Sequence, residues 1–144
     1  MTSAPGTDRM LQFLATRSQG VLATIASDGR PQLSNVLHWA DETGVIRIST
    51  TADRAKYVNL TRRPWAAVKV DGESFWSYAV LEGDVALSQI ASDPADAAAD
   101  ELVALYRALS GEHEDWAAYR RAMVDDRRVV IRLTPTHAYG MLRS

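Results

Sequence analysis

Val21–Ala26 (VLATIA), Ser27–Arg30 (SDGR) and Pro31–Ala40 (PQLSNVLHWA) read as a strand, a turn and a returning strand. The first segment has the apolar and β-branched content of a strand. Asp28-Gly29 tolerates positive φ and marks a tight hairpin turn, and the third segment returns as a strand. A second turn, Asp41-Glu42-Thr43-Gly44, leads into a strand over Val45–Thr50, where Val45, Ile46 and Ile48 supply branched packing. Strands joined by such short turns must run antiparallel.

Working outward, Met10, Leu11 and Leu14 repeat at helical spacing between Thr7 and Arg17, with Thr7 or Asp8 as the cap and Gly20 as punctuation. Downstream, Thr51 is the predicted cap of a short helix reaching Arg63, which Pro64 stops. Trp65–Val70 reads as a strand and Asp71-Gly72 as a turn. Phe75–Ser88 reads as a strand pair or one bent strand, with Gly83 marking a bulge or barrel corner. Asp93-Pro94 is the predicted start of a helix carrying Leu102, Leu105, Tyr106 and Leu109 on one stripe, ended by Gly111. A helix near Trp116–Val124 and a last strand opening at Val129–Leu133 follow. The expected fold is mainly β with α: a small six- to seven-stranded antiparallel barrel with peripheral helices.

The chain has 144 residues, enough for one domain and hardly two. The expectation is a single domain over 1–144, with an N-terminal helix and tail in 1–19 and a helical insertion in 92–125. Hydrophobic content of 47% with 24% charged residues argues against disorder. There are no cysteines, so thiol nucleophiles and Cys-ligated metals are excluded. That absence suits a cytoplasmic location, as does the lack of a signal-peptide pattern or a membrane-length apolar run. A net charge of −2 argues against nucleic acid or an anionic membrane as partner.

Several chemistries lack their motifs. GxxxxGK[ST], GxGxxG and GxSxG are absent, and His113-Glu114 lacks the second histidine of a zincin. The three histidines are far apart, so no metal site is expected. What remains is Ser49–Leu60 (STTADRAKYVNL), where a strand ends in hydroxyl residues, a helix opens, and Arg54 and Lys56 sit at its first turn. Four cations (Arg54, Lys56, Arg62, Arg63) and one anion fall between Asp53 and Arg63. Open helix amides beside such cations attract phosphate. In a helix, Lys56, Asn59 and Arg63 fall within about 60° of one another, giving a polar, basic face. Solvated helix surface is the plainer reading of that pattern. Likewise Gln32, Ser34 and Asn35 fit the wet side of a strand, and Trp76-Ser77-Tyr78 fits core and edge packing.

Resemblance sharpens these alternatives. Gly20–Ile25 with Asp28–Val36 resembles the opening of the flavin and deazaflavin split-barrel family, which includes the pyridoxamine-phosphate-oxidase-like proteins. Its actinobacterial, coenzyme F420-using branch is similar at Arg54-Ala55-Lys56, Asn59-Leu60 and Arg63-Pro64. The likeness continues through Trp76–Val80, Glu82-Gly83, Gly111–His113, Asp115-Trp116 and Tyr119-Arg120 to Arg127–Val129 and His137–Gly140.

The resemblance implies an FMN-binding-type split β-barrel, a homodimer with cofactor sites at the subunit interface. By similarity Arg54 and Lys56 would hold the cofactor phosphate, with Ala55, Ser49, Thr50 and Asn59 beside them. Gln32, Ser34, Asn35 and Val36 would line the ring, and Trp76, Ser77 and Tyr78 would reach over from the partner. Arg62, Arg63 or Arg30 would meet the polyglutamate tail of F420. The implied activity is hydride transfer from reduced F420 to a conjugated organic small molecule. FMN-dependent oxidase chemistry and a non-catalytic cofactor carrier stand as alternatives. No catalytic side chain is assigned: His38 is a candidate to face the ring, against the plainer reading of a satisfied surface or core histidine.

Overall fold

The predicted hairpin forms, with Gln19–Ile25 (β1) pairing antiparallel to Pro31–Leu37 (β2) in unbroken register from Gln19↔Leu37 to Ile25↔Pro31. Gly29 takes φ +88° in its turn, the positive value that favours glycine there. The computed structural model describes residues 5–142. The return strand, expected to run through Ala40, stops at Leu37. His38 turns the chain, and Trp39–Ala40 (β3) pairs instead with Ile46–Thr51 (β4).

Trp65–Asp71 (β5), Tyr78–Leu87 (β6) and Arg128–Met141 (β7) complete one antiparallel sheet in the order β2-β1-β5-β6-β7-β4-β3. Its two edge strands, β2 and β3, are joined by the single residue His38. In a flat seven-stranded sheet those edges would lie about 29 Å apart, whereas one intervening residue spans at most about 7 Å. The sheet therefore rolls up. No ladder joins β2 to β3 or β4 among the described residues, so the barrel is closed by the chain at one corner and split along the seam.

The inward face carries the core: Leu22, Val68 and Leu81 on neighbouring strands, with Ile46, Ile48, Ile131 and Leu133 on the far wall. Pro5–Ala15 (α1) inserts Leu14, and Ala55–Arg62 (α2) inserts Leu60. The stretch 75–88 gives one bent strand rather than a pair. It begins only at Tyr78, and its register with β7 shifts between Glu82 and Gly83, where a Cβ would run into the Thr134 carbonyl. Ala97–Ser110 (α3) and Trp116–Asp125 (α4) cover the outer face of β4 and β7 through Ala98, Leu102, Met123 and Val130. Glu101 binds Arg47 at 2.9 Å and Arg132 at 2.8 Å there.

Three local expectations are corrected. Thr51 does not cap α2, because its hydroxyl bonds the Asp53 carboxylate, and Arg54 takes the N-cap position with no side-chain cap. Arg63 is not on the helix face with Lys56 and Asn59: it is the C-cap, with extended backbone. The α3 helix starts after Asp96, whose carboxylate accepts from the Ala99 amide, and not at Asp93-Pro94.

His38 is fully buried, and its Nε2 lies 3.1 Å from the Leu14 carbonyl. This places His38 in the core, as the plainer reading of it had it. Burial lowers its pKa below the ordinary 6.5, partly offset by the Leu14 and Arg17 carbonyls. The unfolded chain thus takes up the proton first, so stability falls as pH drops through 6.5 towards the folded value. Urea unfolding from pH 7.5 to 5 is expected to show this decline, at most about 1.4 kcal/mol per pH unit. His38→Gln, less stable at pH 7.5, is expected to flatten it. An equal slope in both proteins would contradict the assignment.

Candidate functional site

The α2 helix is fastened to the barrel by a polar chain. Thr24 on β1 stands opposite Gln32 on β2, and its hydroxyl donates to Gln32 Oε1 at 3.1 Å. The same hydroxyl accepts from Asn59 Nδ2 at 3.1 Å. Arg62 donates to Asn59 Oδ1 at 3.2 Å and to the Ile25 carbonyl at 3.3 Å. Thr24 and Asn59 are both buried, so this chain fixes the rotation of α2 on the sheet.

That rotation sets the helix start. The first-turn amides of α2 have no side-chain cap, and an α-helix leaves them without internal partners. Arg54 is exposed, Ala55 opens the helix, and Lys56 is half-buried with no carboxylate partner among the described residues. Burial lowers the Lys56 pKa, and the nearby Arg54 and Arg128 guanidinium groups lower it further. Three cations thus converge, and Asp53, Asp125 and Asp126 line a cleft of about 500 Å³ together with Arg54 and Arg128. Ser49 and Thr50 end β4 on opposite faces. Ser49 faces outward and accepts from Arg128 at 3.3 Å, whereas Thr50 is buried with its hydroxyl unpartnered.

The remaining predicted residues fall into different places. Pleating turns Gln32, Ser34 and Val36 inward and leaves Asn35 on the outer face with the exposed Leu33 and Leu37. Ser34 Oγ is buried without a partner. Asn35 and Val36 line a broad groove with Gly20, Val21 and Lys69. Trp76 is 61% exposed and packs edge-on against Phe75, Ser77 is buried, and Tyr78 lies under Lys69 Nζ at 5.7 Å. These three sit at the end of β5 away from α2, so within one chain about 20 Å of strand separates them from the Lys56 region. Arg54, Ala55, Lys56, Asn59, Ser49, Thr50 and Gln32 gather at one end of the barrel; Asn35, Val36, Trp76, Ser77 and Tyr78 lie at the other. Among the described residues no group of three or more His, Asp or Glu could hold a metal ion, and no helix is long and apolar enough to cross a membrane.

Residues 7–142 match the family model described as pyridoxamine 5'-phosphate oxidase. The chain belongs to that family. It is an oxidoreductase family that works with flavin-type cofactors. A solved structure described as an F420 reductase is 27% identical, with a TM-score of 0.68 over 90% of this chain and 96% of that one. A conserved hypothetical protein from Mycobacterium tuberculosis is 22% identical, with a TM-score of 0.67 over 96% and 88%. A pyridoxamine 5'-phosphate oxidase-related, FMN-binding protein from Nostoc punctiforme PCC 73102 is 18% identical, with a TM-score of 0.59 over 96% and 84%. The last two share the fold.

Two residues of this pyridoxamine 5'-phosphate oxidase family member escaped the sequence reading. Thr24 is a polar residue at an inward position of an alternating strand, a signal available in the sequence. Arg128 was visible only as part of a motif, because its approach to Lys56 depends on β7 returning beside β4. Thr24→Val removes the acceptor of a buried amide while keeping the shape. It is expected to cost about 1–3 kcal/mol of stability, read by chemical denaturation. A change under about 0.5 kcal/mol, the range of ordinary surface substitutions, would show that the chain does not fasten α2.

Proposed function

We propose that this protein is an F420-dependent reductase that passes a hydride from the reduced deazaflavin to a conjugated organic small molecule. The observation that carries the reading is Lys56: a partly desolvated cation beside two others, with no carboxylate partner, at an uncapped helix start. Such a cluster is unfavourable until an anion arrives, and a phosphate suits its fork, point charge and amides together. The 27% identity to a structure described as an F420 reductase supports the deazaflavin over other flavins.

The chain's own residues then have separable tasks. Arg54 and Lys56 hold the phosphate, with Ala55 supplying backbone and Ser49 and Thr50 beside it. Asn59, locked by Thr24, keeps the helix start aimed. Gln32 and Ser34 border the ring held by their own chain, and Asn35 and Val36, at the far end of the barrel, border the ring held by a second copy. Trp76, Ser77 and Tyr78, too distant within one chain, likewise reach the second copy's ring, which makes the working unit a homodimer. Arg62 is engaged with Asn59 and Arg30 with Asp28 at 3.6 Å, so the exposed Arg63 is left for the polyglutamate tail. Asp125 and Asp126 disfavour its exit on the opposite side. When bound, the cofactor supplies the hydride at its C5. The protein supplies orientation and exclusion of water, which accounts for a site without a dedicated acid–base pair.

Titration with F420 and with FMN, followed by tryptophan fluorescence, tests the reading: F420 is expected to bind tightly and quench Trp76, with FMN weaker. The reverse preference would place the chain with FMN-dependent oxidases, and silence with both would refute the proposal. Lys56→Ala is expected to weaken F420 binding by about 1–3 kcal/mol; unchanged affinity would remove the phosphate clamp. Light scattering is expected to return a dimer, and a concentration-independent monomer would contradict sites shared between copies.

A further inference from the structure

Arg128 has a second side that phosphate binding does not use. It forms the polar floor of a recess of about 320 Å³ between the α3–α4 pair and the sheet, walled by Leu37, Leu105, Leu109, Tyr106, Tyr119 and Met123. Its Nε is buried without a partner, its Nη1 touches only the neutral Ser49 hydroxyl, and no carboxylate pairs with it among the described residues. Arg47 and Arg132, on the same outer sheet face, are both paired, Arg47 with Asp41 and Glu101 and Arg132 with Glu101. Asp53, Asp125 and Asp126 share a cleft with Arg128 but form no ion pair with it, and a half-buried guanidinium facing an apolar space without a paired carboxylate is costly, since buried charges are ordinarily paired.

The recess is also preformed. Tyr106 and Tyr119 pack with ring centroids 5.0 Å apart and planes tilted by 58°, His113 and Trp116 pack around them within 6 Å, and the Tyr119 hydroxyl donates to the Leu102 carbonyl at 3.0 Å. With that hydroxyl engaged, both rings offer mainly apolar surface.

We infer that this recess is the acceptor site, and that it takes a flat, largely apolar molecule of one or two rings bearing a single carboxylate or sulfonate that pairs with Arg128. The volume lies at the small end of ligand pockets, which sets the ring number. Tyrosine rings and leucines suit the flat body, and the unpaired guanidinium suits the anion. The acceptor role rests on the proposed reductase activity; the recognition of an aromatic anion does not.

The test therefore uses the full chain without cofactor, titrated with the fluorescent probe 1-anilinonaphthalene-8-sulfonate and with its neutral analogue N-phenyl-1-naphthylamine. Arg128→Gln is expected to weaken the sulfonate at least tenfold and the neutral probe less than twofold. Arg128→Lys, which keeps the charge, is expected to stay within threefold of the parent for the sulfonate. Leu109→Trp, which fills the recess, is expected to abolish both, with the parent's circular dichroism and melting point retained in all three. Equal affinities in Arg128→Gln and the parent, or undiminished binding to Leu109→Trp, would overturn the inference. So would a loss in Arg128→Lys as large as in Arg128→Gln. Because no F420 is present, failure here is distinct from failure of F420 to bind.

Discussion

One residue between two strands constrains everything else in this molecule. His38 joins the first and last strands of a seven-stranded sheet, and only a rolled sheet lets a single residue do so. The corner is held from inside, by the His38 amide on the Ser18 carbonyl at 2.9 Å and by the ring on Leu14 of α1. Once the sheet is rolled, β4 lies beside β7 and β1 beside β5. The end of the barrel then brings Asn59 and Lys56 of α2 against Thr24 and Gln32 of the β1–β2 hairpin, more than 20 residues earlier in the chain. The site is a consequence of closure.

Electrostatics divides the outer surface of the β4–β7 wall into two kinds of place. Beneath α3, Arg47 and Arg132 share Glu101, and Asp41 pairs with Arg47 as the second carboxylate. Burial alone would raise the pKa of Glu101, but hydrogen bonds from the two arginines outweigh that and hold it below the ordinary carboxylate range. This network is satisfied, and its role is to seat the helix. A few residues away, Lys56, Arg54 and Arg128 crowd one another without a carboxylate on Lys56. The same side-chain types serve structure where charges cancel and mark a ligand where they do not.

Much of this was legible in the sequence. Asp28-Gly29 announced the hairpin, Gly83 the bulge and Gly111 the end of α3, because each depends on backbone chemistry confined to a few residues. The break at His38 was not legible, since nothing in LHW disfavours a continuing strand; closure imposes it. Helix starts also shifted. Thr51 and Asp93 are competent caps, but Thr51 is drawn to Asp53, and Asp96 takes amides from Ser92 and Asp93 as well as Ala99. At the site, Arg54, Lys56 and Asn59 could be singled out because one short segment carries them. Arg128 could not, because its importance lies in contacts across the sheet; Thr24 showed only as a polar residue at an inward strand position, with its partner Asn59 hidden until the fold brings α2 against β1.

The most direct test of the account is a crystal structure of the protein with F420. The account predicts two copies of the chain, the cofactor phosphate within hydrogen-bond distance of Lys56 Nζ and the Arg54 guanidinium, and Trp76 of the second copy against the ring. A phosphate held at the Lys69 groove, or a ring contacted by one chain alone, would contradict it.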